Sequence, residues 1–195
     1  EIWHAMGHMA VICINVDGRQ LRSPRFMNFI EAQFSKCSCL AQCIEFELTE
    51  ISQLIGYDET VTGLNRLHEA GVRLAIDDFG TGYSSLSYLV KYPFHIIKLD
   101  KLFIQGIETD PTKQILVKAV IAMAHTLGIE VVAEGVETET VLDFLQSPEV
   151  NCDGAQGYVY GKPMSAAETT AWLDQHFNGD SPVTSQSIIQ ATSSV

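Results

Sequence analysis

Short apolar runs alternate with helix-type patterns along this chain. The apolar runs have the length of buried β-strands and lie at residues 9–16, 43–48, 72–77, 95–99 and 129–133, with a weaker one at 152–155. Helical periodicity fills the intervals, at residues 24–35, 60–70, 84–91, 113–127, 139–145 and 166–177. Strands of this kind, separated by helices, predict an α/β protein with a parallel sheet covered by helices.

Residues that begin and end helices support these intervals. Gly71 and Gly128 directly follow two predicted helices, in the position where a glycine commonly ends a helix. Asp110 and Pro111 precede the helix at 113–127, as an N-cap and a first-turn proline would.

Polar side chains recur where the predicted strands end. They are Asn15, Glu47, Glu50, Asp77, Asp78, Lys98, Asp100, Glu134 and Gln156. Functional groups at the ends of many different strands are typical of a (β/α) barrel, whereas an open doubly wound sheet normally carries a glycine-rich phosphate turn that this chain lacks. Six strands fall short of the eight of a full barrel, so we expect a TIM-like (β/α) barrel that is incomplete at its N-terminus.

Composition limits the class of protein. The chain has 195 residues, of which 46% are apolar and 18% charged, and its formal net charge is −12. One domain is expected at residues 1–178, followed by a disordered tail at 179–195 that is rich in Ser and Thr. The acidity argues against general DNA or RNA binding. Five cysteines without CxxC pairs indicate free thiols and a cytoplasmic domain, and no apolar run is long enough to span a membrane.

The adjacent carboxylates Asp77 and Asp78, at the end of an apolar run, are the strongest chemical signal. Two neighbouring acids at the end of a buried strand are costly unless a positive group lies beside them. Together with Asn15, Glu47 and Glu134 they form a set of oxygen donors that suits Mg²⁺ or Mn²⁺, and the number of carboxylates favours two ions.

Two further roles follow from such a metal site. Lys98 would direct positive charge toward a phosphate or the attacking water, and Glu134 could also act as a general base. Each residue has a simpler explanation alone: Asp78 a helix cap, Asn15 an Asx turn, Glu50 the end of a strand, Lys98 a snorkelling edge residue. Their shared position at strand ends favours the metal site.

The segment after the aspartates is rich in glycine and hydroxyl groups. It comprises Phe79, Gly80, Thr81, Gly82, Tyr83, Ser84 and Ser85. Two glycines permit unusual backbone angles, so we expect a lid loop with Glu50 as its hydrogen-bond anchor. The alternative is an ordinary βα loop in which Ser84 caps the next helix.

At this point the chain resembles the EAL domain family of bacterial cyclic di-GMP phosphodiesterases. The motifs are INVDGRQL at 14–21, FELTE at 46–50, IDDFGTGYSSLSYL at 76–89, IIKLD at 96–100, VVAEGVET at 131–138 and CDGAQGYVYGKPM at 152–164. The resemblance implies a modified (β/α) barrel with one antiparallel strand. It also implies hydrolysis of cyclic di-GMP to linear pGpG with Mg²⁺ or Mn²⁺.

Mapped through these motifs, the resemblance gives each site residue a role. Asn15, Glu47, Asp77, Asp78 and Glu134 look like metal ligands, Lys98 like the contact of the nucleophilic water, and Glu134 also like the base. Glu50 looks like the loop anchor, while Gln156, Glu137 and Asp100 look like supporting or substrate-contacting groups. The family also implies a homodimer and an upstream sensory or GGDEF domain, in a parent protein sometimes anchored in the inner membrane.

Two departures from the family pattern stand out. The Glu-Ala-Leu tripeptide occurs nowhere in the sequence and would lie on a strand before Glu1, and Asp17 replaces a usual serine, with a mild effect expected on Asn15. Because the rest of the metal set is intact, the leading hypothesis is a phosphodiesterase. The alternatives are a degenerate domain that only binds cyclic di-GMP, a silent protein-interaction domain, and, more remotely, a different barrel metalloenzyme that forms an enolate.

Overall fold

A computed structural model describes Trp3 and residues 10–37, 40–48, 58–80 and 86–176. The predicted anchor Glu50, the lid residues 81–85 and the predicted tail at 179–195 lie outside these ranges. Six strands are present: β1 (Ile12–Val16), β2 (Ile44–Leu48), β3 (Arg73–Phe79), β4 (Ile96–Leu99), β5 (Glu130–Glu134) and β6 (Gly154–Gln156).

Eight α-helices lie between and after these strands in the described ranges. They are α1 (Gly18–Leu21), α2 (Pro24–Lys36), α3 (Asp58–Glu69), α4 (Leu86–Lys91), α5 (Lys101–Ile104), α6 (Pro111–Thr126), α7 (Glu139–Gln146) and α8 (Ala166–His176). A 3₁₀ turn (Leu40–Cys43) precedes β2. The sequence pattern missed this turn and the one-turn helices α1 and α5, because four residues are too few to show a helical period.

The strands form one sheet in the order β1-β2-β3-β4-β5-β6, and every neighbouring pair is parallel. This sequential order curls the sheet into a half-barrel with its helices outside, which confirms the expected incomplete TIM-like barrel. The antiparallel strand that the resemblance implied is not among the six described strands. All six carboxyl ends therefore lie at one edge, hereafter the carboxyl edge.

Two predicted strands end too early, and the first strand, predicted from residue 9, begins only at Ile12. The strand that was expected to end at Asp77 continues as β3 through Phe79, with an irregular register between Ile76 and Phe79. The last strand includes Gln156 instead of ending before it. Polar residues interrupt both apolar runs, and the pattern therefore stopped too early.

The main core lies between the outer faces of the strands and the helices. Phe46, Leu48, Leu74, Ile76 and Ile97 contribute to it from β2, β3 and β4 and are fully buried. A second, small cluster lies inside the curl and consists of Ala75, Ile96 and Val132. The strand residues that alternate with the main core therefore face an interior that is apolar in its middle and charged toward both ends.

The helix ends follow the sequence signals. Gly71 and Gly128 have φ values of 83° and 73°, and each lies after a helix, where the left-handed region favours glycine. Asp110 caps α6 by accepting hydrogen bonds from the backbone N–H groups of Thr112 and Lys113. Within the described ranges no helix is both long and apolar enough to cross a membrane, and the four described cysteines are free thiols.

Candidate active site

Lys98 is the centre of the charged cluster at the carboxyl edge. Its Nζ lies 2.6 Å from Glu47 Oε1, 2.6 Å from Glu134 Oε1 and 3.5 Å from Asp77 Oδ1. The residue is only 1% exposed, so it is not the snorkelling edge residue considered as an alternative. One buried ammonium therefore joins carboxylates from β2, β3 and β5.

The two adjacent aspartates reach the same site because β3 is irregular there. In a regular strand, neighbouring side chains point to opposite faces. Asp78 has a φ of 53°, in the left-handed region, at the point where the register of β3 against β4 shifts. Carboxylate oxygens of Asp77, Asp78 and Glu134 consequently all lie within 4.8 Å of one another. A bulge that redirects a side chain is common beside active sites.

The cluster perturbs the acidity of its members. Burial raises the pKa of Glu134, and the charges of Asp77 and Glu47 add to this, while Lys98 opposes it. Burial, with the charges of Asp77 and Asp100, also raises the pKa of Asp78. Burial alone would lower the pKa of Lys98, but Glu134, Glu47 and Asp77 more than reverse this effect and raise it. The lysine is therefore charged, and the carboxylates have more negative charge than it can neutralise.

The residues of this cluster fit a divalent cation. The donors are carboxylate oxygens, which suit Mg²⁺, Mn²⁺ or Ca²⁺ better than zinc. Glu47 Oε1 is buried and lies 2.6 Å from the Lys98 ammonium, but within the described ranges it has no hydrogen-bond partner. A buried oxygen of this kind is stabilised by an added cation.

Two further predicted residues are paired, on neighbouring strands, with members of the cluster. Asn15 of β1 is the Cα partner of Glu47, and Gln156 of β6 is the Cα partner of Glu134. The departure at Asp17 is explained locally, because this carboxylate caps α1 through the backbone N–H groups of Arg19 and Gln20. Its charge is therefore engaged by the helix that follows Asn15.

The remaining predicted residues separate into buried and exposed groups. Asp100 is buried, accepts a hydrogen bond from the N–H of Leu102 at 2.8 Å, and lies close enough to Asp78 to raise its pKa. Glu137 is exposed after β5. Phe79 is buried, while Gly80 has a φ of 98° and a Cβ there would lie 2.5 Å from the Phe103 ring. Glu50 and residues 81–85 lie outside the described ranges, and their predicted roles stay predictions.

A second charged layer, at the opposite end of the strands, was not predicted. Arg73 pairs with Glu130 through both carboxylate oxygens, at 2.5 and 3.4 Å, and lies 3.6 Å from Glu45. Cys13 Sγ donates to Glu45 across 3.7 Å. The alternation of β2 could have revealed this layer, since Glu45 and Glu47 are two residues apart and must share a face.

A sequence comparison identifies the family. The EAL domain profile matches residues 3–163. The chain belongs to the EAL domain family. The signaling protein YkoW of Bacillus subtilis is 39% identical over 164 residues, which are 84% of this chain and 20% of that protein. The cyclic di-GMP phosphodiesterase NbdA of Pseudomonas aeruginosa is 37% identical over 171 residues, 87% of this chain and 22% of that protein.

Solved structures agree with the family. The EAL domain of Mycobacterium smegmatis DcpA superposes with a TM-score of 0.81 at 35% identity, covering 93% of this chain and 80% of that one. Klebsiella pneumoniae BlrP1, as its manganese and cyclic di-GMP complex, gives 0.69 at 33% identity, covering 78% and 38%. This EAL domain spans about a fifth of the length of YkoW and NbdA.

Proposed function

We propose that this EAL domain hydrolyses cyclic di-GMP to linear pGpG with a divalent metal. The observation that carries the proposal is the group formed by Asp77, Asp78 and Glu134, whose oxygens lie within 4.8 Å of one another beside buried Lys98. The name of NbdA and the cyclic di-GMP complex of BlrP1 support the choice of substrate.

The metal set consists of five oxygen-donor residues from four strands. They are Asn15, Glu47, Asp77, Asp78 and Glu134. Mg²⁺ or Mn²⁺ fits these donors, and two ions would use the surplus of carboxylates. Manganese in the BlrP1 complex supports this choice. When bound, the ions would activate water and stabilise charge on the phosphate.

The chain's own residues supply the proton transfer and the positive charge. Hydrolysis adds water across one P–O3′ bond: the hydroxyl stays on phosphorus, and the 3′ oxygen leaves and takes up a proton. Glu134, with its raised pKa, takes the proton of the attacking water. Lys98 directs its ammonium toward that water, and its burial keeps the charge in place.

Several residues support these steps. Asp100 positions Asp78, while Gln156 and Glu137 extend the polar network beyond Glu134. The segment that follows Phe79, the buried last residue of β3, closes over the substrate as a lid, with Glu50 as its anchor. Gly80, at the start of this segment, has a positive φ, and a Cβ there would lie 2.5 Å from the Phe103 ring, so the position favours glycine.

The domain acts as a homodimer in the cytoplasm, downstream of a sensory or GGDEF domain in its parent protein. Free thiols at the described cysteines support a reducing compartment. Helix α6 supports the dimer, because Ile115, Leu116, Ala119 and Ala122 are all exposed on its outer side. Residues 1–178 belong to this EAL domain.

Chromatography of cyclic di-GMP incubated with the protein and Mg²⁺ or Mn²⁺ tests the proposal. We expect pGpG from the wild type, and a rate lower by about 10²–10⁴-fold in Glu134→Gln, the usual loss when a general base is removed. Glu149→Gln, which changes an exposed acid in the turn after α7, is the matched control. Nucleotide binding without product, both in this chain and in a form extended upstream through the Glu-Ala-Leu strand, would instead identify a receptor, and no binding an interaction domain.

A further inference from the structure

Helix α5 is a single turn that lies beside the candidate active site. Asp100 directly precedes it, accepts a hydrogen bond from the N–H of Leu102 at 2.8 Å, and lies close enough to Asp78 to raise the pKa of that carboxyl. A helix of four residues is too short to be stable by itself. Contacts from other parts of the chain must therefore fix its position.

Two glycines at the carboxyl edge allow α5 to pack directly on the backbone next to the candidate metal ligands. A Cβ at Gly80, which follows β3, would lie 2.5 Å from the Phe103 ring. A Cβ at Gly135, the residue after Glu134, would lie 2.6 Å from the Lys101 Cβ. Both distances are shorter than ordinary van der Waals contact, so α5 lies against the ends of β3 and β5 at once. A shift of α5 would therefore disturb the backbone at both strand ends.

Lys113, in the first turn of α6, holds the other end of α5. Its Nζ donates hydrogen bonds to the carbonyls of Leu102 at 2.7 Å and Gln105 at 2.6 Å. The last carbonyls of a helix have no partner within it, and a lysine of the same helix often caps them. Here the lysine belongs to the next helix, so its ammonium ties the single turn of α5 to the 16 residues of α6.

We propose that Lys113 is a positioning residue for the metal ligands of the candidate active site. It fixes the C-terminal end of α5, and α5 in turn holds Asp100 beside Asp78 and rests on the backbone next to Glu134. This inference rests on the proposed function and deepens it, because it concerns the metal that hydrolysis needs. Lys113 acts on the ligands only through α5, so it orients carboxylates and takes no part in proton transfer.

Titration calorimetry of the protein with Mn²⁺ alone, without nucleotide, tests this role directly. Loss of a partner that orients a metal ligand usually weakens metal binding by 10–100-fold, so we expect Lys113→Met to raise the Kd for Mn²⁺ about tenfold. The Mn²⁺ concentration that gives half-maximal hydrolysis should rise by a similar factor, while KM for cyclic di-GMP at saturating Mn²⁺ stays within about twofold. Lys113→Arg should keep wild-type values, because a guanidinium can donate to both carbonyls.

Lys118→Met is the matched control, because Lys118 lies on the same helix but pairs with exposed Glu149, so its loss should leave the Kd for Mn²⁺ unchanged. Urea denaturation in EDTA separates a loss of stability from a loss of metal affinity. A Lys113→Met variant that is less stable but keeps the wild-type Kd would overturn the positioning role, as would an equal rise of Kd in Lys118→Met. Wild-type protein that binds Mn²⁺ without hydrolysing cyclic di-GMP would overturn the proposed function alone, and wild-type protein that binds no Mn²⁺ would overturn both.

Discussion

In the part of the chain that the structure describes, Lys98 is the single buried cation that compensates the negative charge of the candidate active site. It is fully buried between Glu47 and Glu134, and it is the cation that allows those carboxylates to remain in the interior. Breaking a buried ion pair by removing one partner usually costs about 3–5 kcal/mol, because the other charge is left without compensation.

Lys98→Met should therefore lower the free energy of unfolding by about 3–5 kcal/mol in EDTA, as measured by urea denaturation. Added Mn²⁺ should recover more stability in this variant than in the wild type, because the uncompensated carboxylates gain a new cation. Lys118→Met is the control: Lys118 pairs with Glu149, which is 80% exposed, and its loss should cost at most about 1 kcal/mol. Equal losses in the two variants would contradict the buried network.

His95 makes the stability of the fold depend on pH, because its ring accepts a backbone hydrogen bond as a neutral group. Its Nδ1 accepts a hydrogen bond from the N–H of Leu74 at 3.1 Å. Burial, His68 and Arg73 lower its pKa below the ordinary 6.5, while Glu130 opposes them. The unfolded chain therefore binds the proton more readily, so stability is fully present above pH 6.5 and falls as the pH drops below it.

His95→Asn removes this titration, since an amide oxygen can accept the same hydrogen bond without taking up a proton. We expect its free energy of unfolding to fall less than that of the wild type between pH 7 and pH 5. Chemical denaturation at several pH values measures the difference between the two slopes. Parallel slopes would show that His95 is not the titrating group.

At the scale of elements, the irregular end of β3 is the feature that builds the site. The sequence pattern predicted that both acids would join one set of metal ligands, but not the bulge that brings the two neighbouring side chains there. That outcome needs the left-handed backbone at Asp78, and a residue's φ depends on hydrogen bonding to β4 that no local pattern contains. Strand identity was predictable from the apolar runs, whereas the bulge was not.

Comparing Asp78→Gly with Asp78→Ala measures the backbone strain at this position. At a φ of 53° a Cβ is disfavoured, so alanine is strained there and glycine is not. The greater backbone entropy of glycine in the unfolded chain offsets part of this difference. In EDTA the glycine variant should therefore be more stable than the alanine variant by about 0.5–1 kcal/mol. The same pair at Asp143, within α7, should show the opposite order, because glycine destabilises a helix by roughly that amount relative to alanine. Urea denaturation of the four variants gives both differences.

On the scale of the whole molecule, charged layers close both ends of the curled sheet's interior. Arg73 of β3 reaches Glu45 of β2 and Glu130 of β5, so it spans β4 below Ile96. The order of strands and helices predicted the class of fold. The polar residues at the strand ends predicted the charged layer at the carboxyl edge. The opposite layer was not predicted, because Glu45, Arg73 and Glu130 lie near the amino-terminal ends of their strands, whereas the sequence argument used only the carboxyl ends.

The outer face of α6 is the predicted dimer interface. Ile115 is 68% exposed, and Ala119 and Ala122 follow it on the same side of the helix at intervals of four and three residues. An apolar helix face of this kind normally packs against a partner, and a two-fold dimer would bring the two copies of it together. Ile115→Glu would then place two carboxylates near each other in an apolar contact. We expect sedimentation to show a dimer for the wild type and for Phe29→Glu, which changes an exposed ring on α2, but a monomer for Ile115→Glu. A wild-type monomer at tens of micromolar protein would contradict the dimer. A dimer that survives the Ile115 change would show that the interface does not include this face of α6.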